Sequence, residues 1–399
     1  MPNYRTFFAG HAVSVIGTWM QRVAQDWLVL ELSDSAVAVG LATALQALPT
    51  LLFGLWGGVL VDRLDRRRTI MVTQAVSAVL AAVLAGLTLT GTVQLWMVFA
   101  LALGLGLVTV MDSPARQAFV TEMVGPEDYV NAQSLNSTIH NLGRLVGPAV
   151  AGLLIAWVGS GAAFAINAVS FVAVLISLWR IDVHGLTRAE PLRPERGQAL
   201  EGLRYVWQRA DLRACMLLVA VVALFGQNFR VVLPLFARDV LGGGAEVYGW
   251  LTSALGAGAV IGALGSAARE RVSAWSVLLW TAVFAVVIVL LAGAPGLVAA
   301  LGLLVGLGIA NISFNTLART VLQVGTDPSM QGRVIALHST VFLGSTPIGG
   351  PLMGWICEQW GPRTGLLISG IAAAAVAAAL LPTLRRLRTR DHEEVAPCS

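Results

Sequence analysis

The chain has 399 residues, 56% of them hydrophobic and only 12% charged, with a mean hydropathy of +0.76. That charge is about half of what a water-soluble domain carries, so a soluble fold is excluded and an integral membrane protein is indicated. All 26 basic residues are arginine and most sit between long apolar runs, so the formal net charge of +4 reads as membrane topology and gives no reason to expect a nucleic-acid partner.

The runs are apolar all round instead of alternating, which selects helices over a β-barrel. The lead Met1–Arg5 shows no cleavable signal pattern and enters a predicted helix over 6–30. Further helices are expected over 36–61, 69–90, 94–113, 131–157 and 161–179, each long enough for a bilayer core. The polar stretch Arg180–Arg213, with Pro191, Pro194 and seven arginines, reads as the one long loop. A second set is expected over 214–235, 247–268, 273–292, 297–318, 334–357 and 364–383. The expected fold is thus an all-α membrane protein of twelve transmembrane helices. It divides into a six-helix bundle (1–180), a cytoplasmic linker (181–213), a second six-helix bundle (214–384) and a cytoplasmic tail (385–399).

Sidedness follows from the arginines. With a cytoplasmic N-terminus, 21 of the 26 fall in loops on that side or in the tail, so both termini are expected in the cytoplasm of a multi-pass cell-membrane protein. Trp56, Trp96, Trp157, Trp179, Trp250 and Trp360 fall near predicted helix ends, as an interfacial belt would have them. The three cysteines imply no disulfide framework.

The two sets of helices are related. Arg116, the Gly147-Pro148 pair and Trp157 recur as Arg319, Gly350-Pro351 and Trp360, each 203 residues on. A parallel repeat of this kind predicts a pseudo-twofold axis along the membrane normal, two pseudo-symmetric bundles and a path between them.

Between the uncharged runs 35–61 and 69–111 lies a short charged turn, Gly58-Val-Leu60-Val-Asp62-Arg63-Leu-Asp65-Arg66-Arg67-Arg68. It resembles the signature between helices 2 and 3 of major facilitator superfamily (MFS) transporters, with Asp65 standing where glycine is usual. Gly143-x-x-x-Gly147-Pro148-x-x-x-Gly152 in helix 5 is similar to the antiporter motif of the superfamily's efflux branch. Trp19–Arg22, Trp27–Leu32 and Ser113–Arg116 resemble enterobactin-exporter-like and macrolide-efflux-like members. The arginine that such exporters often carry in helix 4 has no counterpart among Leu95–Val110. The resemblance implies the MFS fold and a monomeric secondary transporter of small molecules, driven by the proton gradient without a bound cofactor. It also sets helix 2 against helix 11. Asp62 is then expected to accept from the helix 11 N-terminus near Gly332–Ala336 when the cytoplasmic side is closed, or to pair with Arg63 or Arg66. Asp65 is either a second acceptor or a helix cap.

The other motifs have physical readings of their own. Gly143 and Gly147 strip one face of helix 5 and Pro148 bends it, which suits either a rocking helix or ordinary tight packing. A charge inside a spanning helix costs about 2.5–3.5 kcal/mol on insertion scales, so each one needs a reason. Helix 1 carries Arg22 and Asp26, helix 5 His140 and Arg144, and helix 7 Arg230. The repeat puts Asp26 level with position 229. Asp26 therefore pairs either with Arg230 across the axis, in the state closed to the outside, or locally with Arg22. His140 is a candidate proton site or a hydrogen-bonding wall residue.

Candidate cavity residues are Trp19, Gln25, Gln46, Asn136 and Asn167 in the first half. In the second half they are Phe225, Asn228, Asn311, Asn315 and His338. An apolar cavity with scattered amides suits a hydrophobic or amphipathic cargo better than a sugar. No phosphate-binding loop and no lysine are present, and the five histidines are too scattered for a metal site. Three functions remain open: a proton-coupled exporter of drugs, antibiotics or siderophore-like metabolites; an importer of a small nutrient or a lysophospholipid flippase; and a non-transporting membrane sensor.

Overall fold

Backbone polar groups in a lipid core must be satisfied within their own segment, and the uncharged runs accordingly fold as helices. The computed structural model describes residues 2–125, 127–182, 198–267 and 273–395. In chain order come α1 (Pro2–Ser33), α2 (Ala36–Val61), α3 (Arg66–Leu89), α4 (Leu95–Met123), α5 (Tyr129–Val158) and α6 (Ser160–Trp179). Then follow α7 (Gln198–Gln208), α8 (Ala210–Val221), α9 (Phe229–Leu235), α10 (Ala245–Ala267) and α11 (Ala274–Ala292). The chain continues with α12 (Leu297–Val324), α13 (Gln331–Gly344), α14 (Thr346–Trp360) and α15 (Pro362–Val395). Ten helices among the described residues are long and apolar enough to cross a membrane. The loop residues Pro191 and Pro194, two of the arginines counted for sidedness, Arg269 and Arg271, and one of the three cysteines, Cys398, lie outside the described residues.

α12 and α15 run past the expected ends at 318 and 383, to Val324 and Val395, and four further departures from the sequence reading have a local reason. Helix 4 does not stop at 113 but runs through Pro114 to Met123. The Val110 carbonyl, which Pro114 leaves without its helical donor, faces the bare Gly57 of α2, so the proline is absorbed there. Helix 7 is not continuous. Val222–Gly226 and Phe236–Val240 are wound as π-helix and the chain unwinds at Gln227-Asn228, where the Asn228 side chain donates to the Leu224 carbonyl at 2.7 Å. Helix 11 breaks at Ser345, just ahead of Pro347, and leaves α13 and α14 as separate pieces. Finally, the stretch read as one long loop carries α7, which docks on α13. Arg333 pairs with Glu201 at 2.7 Å and Tyr205 donates to Asp327 at 3.0 Å.

Within the first set, α1 packs on α5 and α6, α2 on α4, and α3 on α4 and α6; within the second, α12 packs on α10 and α11, and α11 on α15. The two sets meet along α5 with α10 and along α2 with α14. Both seams are made by small residues. A methyl added at Gly152 of α5 would lie 2.8 Å from the Ala245 carbonyl and 3.0 Å from Gly249 Cα of α10, so only glycine lets these backbones approach. Trp56, Trp96, Trp157, Trp179 and Trp360 are exposed on the helix surface.

Candidate functional site: a central cavity

A cavity of about 610 Å³ lies between the two sets of helices. One end is shut. There the α1–α2 corner grips the second set: Asp34 pairs with Arg238 at 2.7 Å, and Glu358 of α14 accepts from the Ser35 hydroxyl at 2.7 Å and the Val37 N–H at 3.1 Å. A carboxylate over the first turn of α2 also meets the positive end of that helix. The other end carries the α2–α3 turn, and Tyr129, Val130 and Leu135 of α5 are exposed there. The cavity is open on the arginine-rich side.

The charged turn is built into its own half. Asp65 caps α3, its Oδ1 accepting the Arg68 N–H at 2.8 Å, so the departure from the family pattern serves as a helix cap. Arg66 donates to Glu122 of α4 at 2.8 Å, and Arg67 donates to the Leu178 and Trp179 carbonyls in the last turn of α6. Arg63 and Leu60 are exposed, and a methyl on Gly58 would meet nothing within 4 Å. Asp62, partly exposed, has one ion pair among the described residues, to Arg66 at 3.9 Å. It does not reach Gly332 or Ala336 of α13, which are exposed. This is the geometry of an open end.

At the shut end of the cavity the buried charges meet. Arg230 donates to Asp26 in a fork, Nη2 to Oδ1 at 2.7 Å and Nε to Oδ2 at 2.9 Å. Tyr248 of α10 donates to Oδ2 at 3.1 Å, and Gln46 accepts the remaining Arg230 Nη1 at 2.9 Å. Four elements, α1, α2, α9 and α10, are tied together by one carboxylate and one guanidinium. Arg22 takes no part: its guanidinium stacks over Trp19, 4.8 Å from the ring centroid.

Of the expected residues, Trp19, Arg22, Gln46, Asn136, His140, Asn167, Asn228 and Arg230 reach the cavity wall. Asp26 sits behind Arg230, and Gln25, Arg144 and Phe225 are off the wall. Asn311 donates to Gln227 at 3.0 Å, Asn315 bonds Asn311, and His338 stacks on Phe342, so these three stiffen the second half instead of facing the cavity. In helix 5, Gly143 and Gly147 pack against Val15 and Trp19 of α1, while Pro148 and Gly152 face Gly249 of α10.

One cluster is absent from the sequence reading. Arg116 pairs with Asp112 at 2.7 Å and approaches His11 Nδ1 at 2.8 Å, while Asp112 accepts from Thr73 at 2.7 Å and Gln74 at 2.9 Å. His11 in turn meets Asn136 Oδ1 at 3.1 Å and lies edge-on to His140. Treating Pro114 as a helix stop puts Arg116 in a loop; the signal against that is the i, i+4 spacing of Asp112 and Arg116. The wall is consequently more polar than expected, with Gln74 and Ser77 of α3 and Asp112 and Arg116 of α4 added to it.

The chain is 28% identical to the multidrug efflux pump Tap of Mycolicibacterium fortuitum, over 93% of both chains. It is 24% identical to macrolide efflux protein A of Streptococcus pyogenes, over 98% of this chain and 97% of that one. Its fold matches a bacterial homologue of the human lysosomal transporter Spinster, solved in an inward-facing and occupied conformation, with a TM-score of 0.74 and 14% identity over 94% of each chain. The model of the transmembrane secretion effector family fits residues 1–399. A single-ended cavity between two sets of spanning helices and a family match over the full length lead to one conclusion: the chain belongs to the transmembrane secretion effectors of the major facilitator superfamily, a family of transporters and not of enzymes.

Proposed function

We propose that the protein exports hydrophobic or amphipathic small molecules by alternating access, with the proton gradient as its energy source and no bound cofactor. The observation that carries this is the cavity, sealed at one end by Asp34–Arg238 and Ser35–Glu358 and open at the other. The efflux proteins to which the chain is similar over nearly its whole length favour export over uptake.

In this reading the protein is a monomer. The chain makes twelve passes in two six-helix halves, 1–180 and 214–384, with α13 and α14 forming one broken pass and α1 a polar one. The linker 181–213, the tail 385–399 and both termini are cytoplasmic, which the arginine count supports. The open end then faces the cytoplasm, where cargo enters. Gly58–Arg67 is the lock for the reverse state: as the halves rock, Asp62 meets the α13 N-terminus. Proton release and uptake fall to Asp26, with His140 beside the Arg116 cluster as the second titrating group.

The test is accumulation of a panel of fluorescent cationic, neutral and anionic compounds in cells with and without the protein, at two external pH values. Expression is expected to lower accumulation of at least one compound, more strongly at the lower external pH. Equal accumulation of every compound would overturn the export reading, and an effect independent of pH would overturn the proton coupling.

A further inference from the structure

Along the cavity, at its shut end and just behind its wall the spanning helices carry Arg22, Arg116, Arg144 and Arg230 against two carboxylates among the described residues, Asp26 and Asp112. Both carboxylates are engaged, Asp112 by Arg116 and Asp26 by Arg230. Arg22 and Arg144 have no carboxylate partner among the described residues. A guanidinium stays protonated in any protein environment, so the excess positive charge is permanent. Of the two, Arg22 faces the cavity. Its Nε is buried with no hydrogen-bond partner, and Trp19 supports the face of the guanidinium.

Burying an uncompensated cation is costly, and here the neighbours do not relieve it: the nearby Gln21 oxygen is taken by Asn167 at 2.5 Å, and Gln46 by Arg230. Asp26 lies near enough to attract Arg22 but is itself held in the Arg230 fork, so a paired counter-charge is left for an entering group to supply. Apolar wall residues lie within the same cavity, among them Val15, Leu105, Val108, Phe171 and Leu343.

We propose that Arg22, stacked on Trp19, is the anchor of the cargo site, and that the cargo is an amphipathic organic anion. Its carboxylate or sulfonate pairs with the Arg22 guanidinium and its apolar body lies along the aliphatic wall. The proposal rests on the transport reading for direction only; the site stands on binding alone. The same chemistry could come from a soluble amphiphile or from the headgroup of an anionic lipid.

The experiment uses the full chain in nanodiscs of neutral phosphatidylcholine, with empty nanodiscs subtracted. It compares 1-anilinonaphthalene-8-sulfonate, an anion, with neutral N-phenyl-1-naphthylamine and cationic ethidium. The anion is expected to bind tightest. Arg22→Gln should weaken it about tenfold, the worth of one charge-assisted contact, while moving the neutral probe less than about twofold. Arg22→Lys, which keeps the charge but loses the planar fork, should retain part of the affinity and serves as the folding control. Absence of anion binding to the wild type, tighter binding of the neutral or cationic probe, or equal loss of both probes in Arg22→Gln would each overturn the proposal. Displacement of the anion by added phosphatidylglycerol would support the site with a lipid headgroup as occupant; persistence of binding would support a soluble anion. A protein that binds the anion through Arg22 yet lowers accumulation of nothing in cells would sink the export reading and leave the site intact.

Discussion

Asp26 is the residue on which the shut end depends, since one carboxylate collects two hydrogen bonds from Arg230 and one from Tyr248. Taking its charge away strands Arg230 in a low-dielectric setting, and breaking a buried pair from one side costs about 3–5 kcal/mol. Asp26→Asn is therefore expected to lower the thermal midpoint of the purified protein and to remove the dependence of transport on external pH; a variant with a wild-type pH profile would exclude Asp26 as a coupling site. Asp65→Ala is a milder change. Loss of the α3 cap should cost about 1 kcal/mol, with Asp65→Asn close to wild type, and thermal unfolding of the two variants separates the cap from any role of the charge. The Asp26–Arg230 contact was one of two that the sequence left open, suggested by two buried charges of opposite sign at nearly the same level of the repeat, with the local Arg22 pair as the other. Tyr248 was not legible, because a tyrosine near a helix start reads equally well as an interfacial anchor.

Among the elements, α5 is held closely on two sides, wedged between α1 and α10 by glycines at 143, 147, 152 and the facing Gly249. A side chain at 152 would have to displace the α10 backbone. Gly152→Val is expected to pry the shut end apart, raising the labelling rate of a cysteine placed at Ser35 by about tenfold or more and lowering transport in proportion. Unchanged labelling would mean that the seam tolerates bulk and has no closing role. The spanning helices were readable from apolar length, whereas α7 and the helix ends were not. Pro114 and Pro347 are the same residue type in similar surroundings, yet one is absorbed because Gly57 gives its orphaned carbonyl room, and the other parts α13 from α14. No single-chain pattern carries that difference, since it lies in the neighbouring helix.

For the whole molecule, the two ends hold their halves by different means. Beyond the Asp26 fork, the shut end is held by Asp34–Arg238 and Ser35–Glu358, whose side chains are partly or largely exposed. Such pairs are worth about 0.2–1 kcal/mol each, so they bias the equilibrium without freezing it. Combining Arg238→Ala with Glu358→Gln should raise labelling at the shut end only about fivefold. A variant locked fully open there would show that these pairs hold more than their exposure allows. On the arginine-rich side, Asp62→Asn should leave the protein inserted and increase the accessibility of a cysteine at Ala336; no change would remove Asp62 from the lock. The family was visible in the charged turn. The end at which the cavity opens was not, because both states must be encoded by the same residues.

The broken helix 7 gives Arg230 a mechanical setting of its own. The short α9 segment that carries it is bounded before and after by wide π turns, and at Gln227-Asn228 the chain is unwound. A π turn behaves like a dislocation in a crystal: it holds one surplus residue and can pass that surplus along the helix by exchanging a few backbone hydrogen bonds at a time. Each residue of slip turns the segment by about 100°. Slip of the α9 segment would thus carry Arg230 out of the Asp26 fork while α8 stays where it is, so that unlocking the carboxylate does not require the whole of helix 7 to move.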